Sequence, residues 1–261
     1  MILHLAGTSD ARELAVLIQQ AGFDMIASVV TDSAAQSLRE AGVPVRVGRM
    51  TAEEMADYIQ TCKVRAVVDA AHPFAEEAHR NAMTATRACN IPYLRFEREA
   101  LSFAAHPNLH VVDDYAQAAE KAAQLGGRIL LTTGSKTLQT FTARLLGEEG
   151  VTLYARMLPR IDNMEKCAEL GIEQKYIIAM QGPFSRELNI ALYRNYGIDV
   201  VVTKESGKVG AVDDKVETAL ELGLQVILIG RPGLSYGVVF TEFEPILEKL
   251  KHLRGEIRHG I

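Results

Sequence analysis

The chain has 261 residues and a formal charge of −5, with 48% hydrophobic and 23% charged residues. That is the balance of a globular enzyme with one large domain or two of about 100–150 residues. It excludes a general nucleic-acid binder, which carries a basic face, and no apolar run approaches the ~18 residues a membrane-spanning helix needs.

The apolar pattern alternates between short runs and longer amphipathic ones from the first residue onward. Ile2–Ala6 reads as a strand, and Asp10–Ala21 as a helix with Ala11, Leu14, Ala15, Leu17 and Ile18 on one face. A strand at Met25–Val30, a helix near Ala34–Ala41 and a strand at Val43–Val47 follow. Thr51 with Glu54 forms a capping box that opens a third helix. Ala66–Ala70 is the fourth strand. A helix is expected from Phe74 to about Cys89, with Pro73 presetting its first position, and Pro92–Phe96 is the fifth strand. From Arg98 to Leu109 the pattern lapses, as in a connection between halves. It resumes with strands near Arg128–Thr132, Thr152–Ala155, Tyr176–Met180, Val200–Thr203 and Val226–Ile229. Helices are expected near Tyr115–Leu125, Lys136–Leu145, Arg186–Tyr196, Asp214–Leu222 and Thr241–Leu253.

Alternation of this kind predicts an α/β protein of two Rossmann-like parallel-sheet domains with an interdomain cleft. The expected division is 1–98 and 99–261. The three cysteines, Cys62, Cys89 and Cys167, are odd in number and far apart, providing neither a disulfide framework nor a metal-binding spacing. The first residues are too short for a secretory leader, so a cytoplasmic setting is expected.

Functional signals sit where strands end, the edge at which open α/β sheets bind ligands. Gly7, Thr8 and Ser9 open the first helix, where backbone N–H groups and the helix dipole suit a phosphate. The full Gly-x-Gly-x-x-Gly fingerprint is absent, because Ser9 and Arg12 occupy the later glycine positions. Arg12 opposes the helix dipole and so suits a phosphate contact. Thr31 and Asp32 end the second strand, and an acid there can accept from a ribose hydroxyl. Asp69-Ala70-Ala71-His72-Pro73-Phe74-Ala75 ends the fourth, with His72 able to donate a hydrogen bond or move a proton near neutral pH. In the second half, Thr132-Thr133-Gly134-Ser135-Lys136, Gln181-Gly182-Pro183-Phe184-Ser185 and Thr203-Lys204-Glu205-Ser206-Gly207 follow strands, and Lys215 lies on the next helix. Lys204, Ser206 and Gly207 form an anion-binding nest. Helix capping and solvated lysines account for any one of these; the set on one edge argues for a ligand.

In order, Gly7–Arg12, Asp69–Ala75, Gly182–Ser185, Thr203–Gly207 and Arg231-Pro232 resemble the precorrin-6A reductase family of cobalamin biosynthesis, including its cobalt-precorrin-6A branch. The resemblance runs from the first strand to about Pro232. It implies hydride transfer from a reduced nicotinamide cofactor to one double bond of an anionic tetrapyrrole, with a proton completing the reduction. The first domain then binds the cofactor through Gly7, Thr8, Ser9, Arg12, Thr31, Asp32, His72, Pro73 and Phe74, and His72 is the catalytic candidate. The second domain binds macrocycle carboxylates through Gly134, Lys136, Gly182, Ser185, Lys204, Ser206, Gly207 and Lys215, by charge-assisted bonds. Family members that use NADPH often carry an arginine where this chain has Asp32; the carboxylate favours NADH over NADPH and, with it, the cobalt-containing branch. Two other readings stand beside this one. A dehydrogenase for another substrate predicts a Tyr-x-x-x-Lys pair that the chain lacks, and a two-lobed small-anion binding protein predicts a leader.

Overall fold

Ile2–Leu5 (β1) buries all four residues, as expected of a strand covered on both faces. The chain then alternates α1 (Ser9–Gln20), β2 (Met25–Val29), α2 (Asp32–Glu40), β3 (Val45–Val47), α3 (Ala52–Thr61), β4 (Ala66–Asp69), α4 (Glu76–Ala88) and β5 (Tyr93–Phe96). A second series follows: β6 (Leu109–Val112), α5 (Tyr115–Leu125), β7 (Gly127–Leu131), α6 (Leu138–Leu145), β8 (Val151–Met157), α7 (Ile161–Glu169), β9 (Ile177–Ala179), α8 (Arg186–Tyr196), β10 (Val200–Lys204), α9 (Val212–Glu221) and β11 (Gln225–Ile229). The chain closes with β12 (Val239–Phe240) and α10 (Phe243–Glu256). This computed structural model describes residues 1–99, 105–205 and 212–256.

Two six-stranded sheets result, ordered β12-β5-β4-β1-β2-β3 and β6-β11-β10-β7-β8-β9, and every pairing is parallel. Each follows the doubly wound order 3-2-1-4-5-6, but the sixth positions are exchanged along the chain. β6 precedes the other strands of its sheet, and β12 returns to the first sheet after the second is complete. Unit one accordingly comprises Met1–Glu99 with Gly233–Ile261, and unit two Ala100–Pro232.

The expected 99–261 division differs from this at its far end. Val239 and Phe240 pair with Arg95 and Phe96, and Ile246 and Leu250 of α10 enter the core of Leu14, Ile18, Leu94 and Phe96. Phe96 and Phe243 rings lie 4.8 Å apart. The physical reason is the apolar edge of β5, which needs a strand and a helix to cover it. Three elements were invisible to apolar periodicity: β6, an edge strand with Val111 65% exposed; the two-residue β12; and α7, rich in charge behind Pro159. The capping box is present, with Glu54 N donating to Thr51 Oγ1 at 3.2 Å and Thr51 N to Glu54 Oε2 at 2.8 Å.

Candidate active site

In unit one the sheet order reverses between β1 and β4, and the loops after these strands meet there. Gly7 takes φ +143°, which a side chain rarely tolerates, and its exposed backbone opens the N-terminus of α1. Thr8 caps that helix, accepting from Ala11 N at 3.1 Å, and its hydroxyl reaches Ala70 O at 3.5 Å. Ser9 is exposed. Arg12 donates to Ser37 Oγ at 2.7 Å, so its guanidinium lies along α2. Asp10 pairs with Arg98. Thr31 caps α2, accepting from Ala34 N at 3.3 Å, and Asp32 is exposed in the first turn. Gly7, Thr8, Ser9, Arg12, Thr31 and Asp32 therefore share one sheet edge with the loop that carries His72.

That loop departs from the expected helix start. α4 begins at Glu76 with Ala75 as an uncapped N-cap, and Pro73 is buried in a turn instead of opening the helix. Ala75 N donates to His72 O at 2.7 Å, closing the turn, and the helical ladder starts only with His79 N on Ala75 O at 3.1 Å. Phe74 N donates to His72 Nδ1 at 3.3 Å, which in the neutral ring puts the proton on Nε2. The Phe74 and His72 rings are 5.9 Å apart.

Beneath the loop lies an ionic network that periodicity could not reveal. Asp69, fully buried, accepts at Oδ2 from Tyr93 Oη at 2.7 Å and lies 2.7 Å from His79 Nδ1. Its Oδ1 accepts from Ala71 N at 3.0 Å and from Arg95 Nη1 at 3.3 Å. Arg95 also reaches Glu97 at 3.3 Å, and the Tyr236 ring covers its guanidinium at 5.1 Å. Burial pushes the Asp69 carboxyl upward, but the hydrogen bond and charge of His79, the charge of Arg95 and the Tyr93 hydroxyl outweigh it and hold the group below its usual range. Burial and the Asp69 charge push the Tyr93 phenol up. The signal in the sequence was the alternation Tyr93, Arg95, Glu97 along β5 and just past its end, with apolar Leu94 and Phe96 between.

Unit two gathers cations at the corresponding edge. Gly134, with φ +84°, precedes a short 3₁₀ turn that carries the exposed Lys136. Lys204 ends β10; burial and the charge of Lys136 push its ammonium down to about 8. Lys215 on α9 is pushed down to about 8 by burial and by the charges of Arg156 and Lys204. Arg156, 5% exposed at the end of β8, was missed by sequence reasoning. Its Nη1 donates to Asn189 Oδ1 at 2.9 Å, and its guanidinium stacks 4.0 Å from the Phe184 ring. Among the described residues no carboxylate pairs with Arg156. Gly182 packs against that same Phe184 ring, so the loop after β9 joins this cluster. Ser185 caps α8, accepting from Leu188 N at 3.2 Å. Ser206 and Gly207 lie outside the described residues. Among the described residues the buried Asn189 Nδ2 and Thr203 Oγ1 have no hydrogen-bond partner, nor has Arg95 Nη2 in unit one.

Residues 1–251 match the family model described as precorrin-6x reductase CbiJ/CobK. The chain is 57% identical over 250 residues to a cobalt-precorrin-6A reductase from Priestia megaterium, covering 96% of this chain and 98% of that protein. It is 32% identical over 237 residues to a precorrin-6A reductase from Rhodococcus erythropolis, covering 89% and 90%. A solved structure titled CobK precorrin-6A reductase superposes with a TM-score of 0.79 at 28% identity, covering 97% of this chain and 96% of that one. The chain belongs to the precorrin-6x reductase family.

Proposed function

We propose that this chain reduces one carbon–carbon double bond of cobalt-precorrin-6A to give cobalt-precorrin-6B, with NADH as the hydride source. Family membership carries the reaction, and the 57% identity to a cobalt-precorrin-6A reductase supports the cobalt-containing substrate. When bound, the cofactor supplies the hydride to one carbon of the double bond; a proton added to the other completes the reduction.

The residues of unit one fit a dinucleotide. The open backbone at Gly7 and the N-terminus of α1 suit the diphosphate, and the exposed Asp32 at the end of β2 suits a free ribose diol. A carboxylate there repels a 2′-phosphate. Wild type is therefore expected to have the higher kcat/KM with NADH, and Asp32→Arg to move the preference toward NADPH; a wild-type preference for NADPH overturns the assignment.

In unit two, Arg156, Lys204 and Lys215, with Lys136 and the loops at Gly134, Gly182 and Ser185, supply donors for the macrocycle's carboxylates. His72, donating from Nε2, orients the reactants. His72→Ala is expected to lower kcat by less than about 100-fold and to raise KM. A loss of kcat on the order of 10²–10⁴-fold with KM unchanged assigns it proton delivery instead. Both are read from the loss of reduced-nicotinamide absorbance with cobalt-precorrin-6A. No cofactor oxidation with that substrate overturns the proposed reaction.

A further inference from the structure

The loop after β4 is held by its carbonyls to a degree that a simple turn does not require. Arg95 Nη1 donates to Asp69 O at 3.1 Å and to Ala71 O at 2.9 Å. His79 Nε2 lies 3.1 Å from His72 O. Its Nδ1 lies 2.7 Å from Asp69 Oδ2. Carboxylate and carbonyl oxygens only accept, so His79 fills both contacts as a double donor. Neither His79 nor Asp69 is exposed, and the Tyr236 ring meets His79 edge-on at 5.4 Å. The His72 carbonyl therefore receives both His79 Nε2 and Ala75 N, while its ring receives Phe74 N.

We propose that His79, oriented by Asp69, is a positioning residue that sets the place of the His72 imidazole through the His72 carbonyl. The proposal rests on the role of His72 stated above. α4 carries His79 one turn inside the helix, so the rigid helix, and not the loop itself, dictates where His72 stands. The carboxylate–histidine pair resembles the device that fixes an imidazole's orientation in other active sites, here applied to a backbone group.

Two side-chain amides separate the contacts. In His79→Asn the amide nitrogen falls near Nδ1, keeping Asp69 and losing His72 O. In His79→Gln it falls near Nε2, keeping His72 O and losing Asp69. Steady-state rates with NADH and cobalt-precorrin-6A are measured for both variants, in the wild-type and His72→Ala backgrounds, after circular dichroism has confirmed folding. Misplacing a reacting group by an ångström costs on the order of 10²-fold. His79→Asn is expected to lower kcat/KM by at least about tenfold, and His79→Gln to retain most of the activity. In the His72→Ala background His79→Asn is expected to change kcat/KM by less than about threefold, because residues that act through one another are not additive.

Equal losses in both backgrounds, or equal damage from Asn and Gln, reduce His79 to structural glue and overturn the proposal. If His72→Ala alone leaves kcat/KM unchanged, the role of His72 itself fails and the proposal falls with it. Additive losses with a damaged His72→Ala overturn only the link to His79. Should His79→Asn fail to fold, His79→Gln carries the test: retention of most of the wild-type kcat/KM supports the carbonyl contact, and a loss of tenfold or more that persists in the His72→Ala background overturns it.

Discussion

At the carboxyl edge of the first sheet, the buried Asp69, His79 and Arg95 and the half-buried Glu97 meet groups of opposite sign at 2.7–3.3 Å. At the corresponding edge of the second sheet, Arg156 faces an amide and an aromatic ring, and burial, with the charges of Arg156 and Lys204, pushes the Lys215 ammonium down. Both edges bury ionisable groups and both pair some of them, Asp69 with His79 and Arg95 in unit one and Glu205 with Arg231 in unit two; Arg156 differs in having no carboxylate partner among the described residues. The first arrangement fixes the shape of a loop. On the proposed reading, Arg156 is the donor that meets an anion arriving from outside.

Removing one charge from each edge breaks the comparison most sharply. Asp69→Ala leaves Arg95 and His79 buried without their shared carboxylate and is expected to destabilise the fold by about 3–5 kcal/mol, measured by denaturant unfolding. Arg156→Met, by contrast, is expected to cost only about 1–3 kcal/mol, since the buried Asn189 Oδ1 loses its partner. Its KM for the tetrapyrrole is expected to rise on the order of 10- to 100-fold, as when one partner of a charged contact is lost. A stability loss for Arg156→Met as large as that of Asp69→Ala would erase the distinction.

Acidity offers the finer test, because the two edges respond at opposite ends of the scale. Asp69 is held below its usual range when folded, so its contribution is present above the ordinary carboxylate range and is lost as pH falls through its folded value. Lys204 and Lys215 stand at about 8 instead of 10.5. Between those values the unfolded chain holds more protons, so stability rises with pH, while affinity for a carboxylate ligand falls as the ammonium groups discharge. KM for the tetrapyrrole is therefore expected to climb above about pH 8. Lys204→Arg, which stays charged, is expected to flatten that rise by a few-fold; an unchanged profile would remove Lys204 from the anion site.

Apolar periodicity exposed the central strands and most helices, because residues such as Val67 and Val201 are buried on both faces and leave a continuous apolar signal. It was silent on β6, β12 and α7, whose sequences answer to edge positions and solvent. The strand-end rule singled out His72 and Lys204, since small and charged residues after an apolar run are visible locally, and Lys215 came from the helix that follows. It missed Arg95, Arg156 and His79. Each lies within a strand or helix, and its role comes from partners 26 to 33 residues away, or ten in the case of His79. The start of α4 was placed too early because Pro73 signals a helix opening. The His72 carbonyl, already bonded to Ala75 N and His79 Nε2, holds the turn in its place.

The exchanged sixth strands set an order of assembly. Unit two is a single uninterrupted stretch, Ala100–Pro232, that holds all six of its strands once Ile229 has been made. Unit one waits: during synthesis, Leu94 and Phe96 have no covering strand until Val239 and Phe240 emerge. The same returning segment delivers Tyr236, which closes over Arg95 and His79. A chain interrupted before that point would carry unit two with all six strands and a His72 loop without Tyr236, so residues beyond Pro232 govern when unit one is completed.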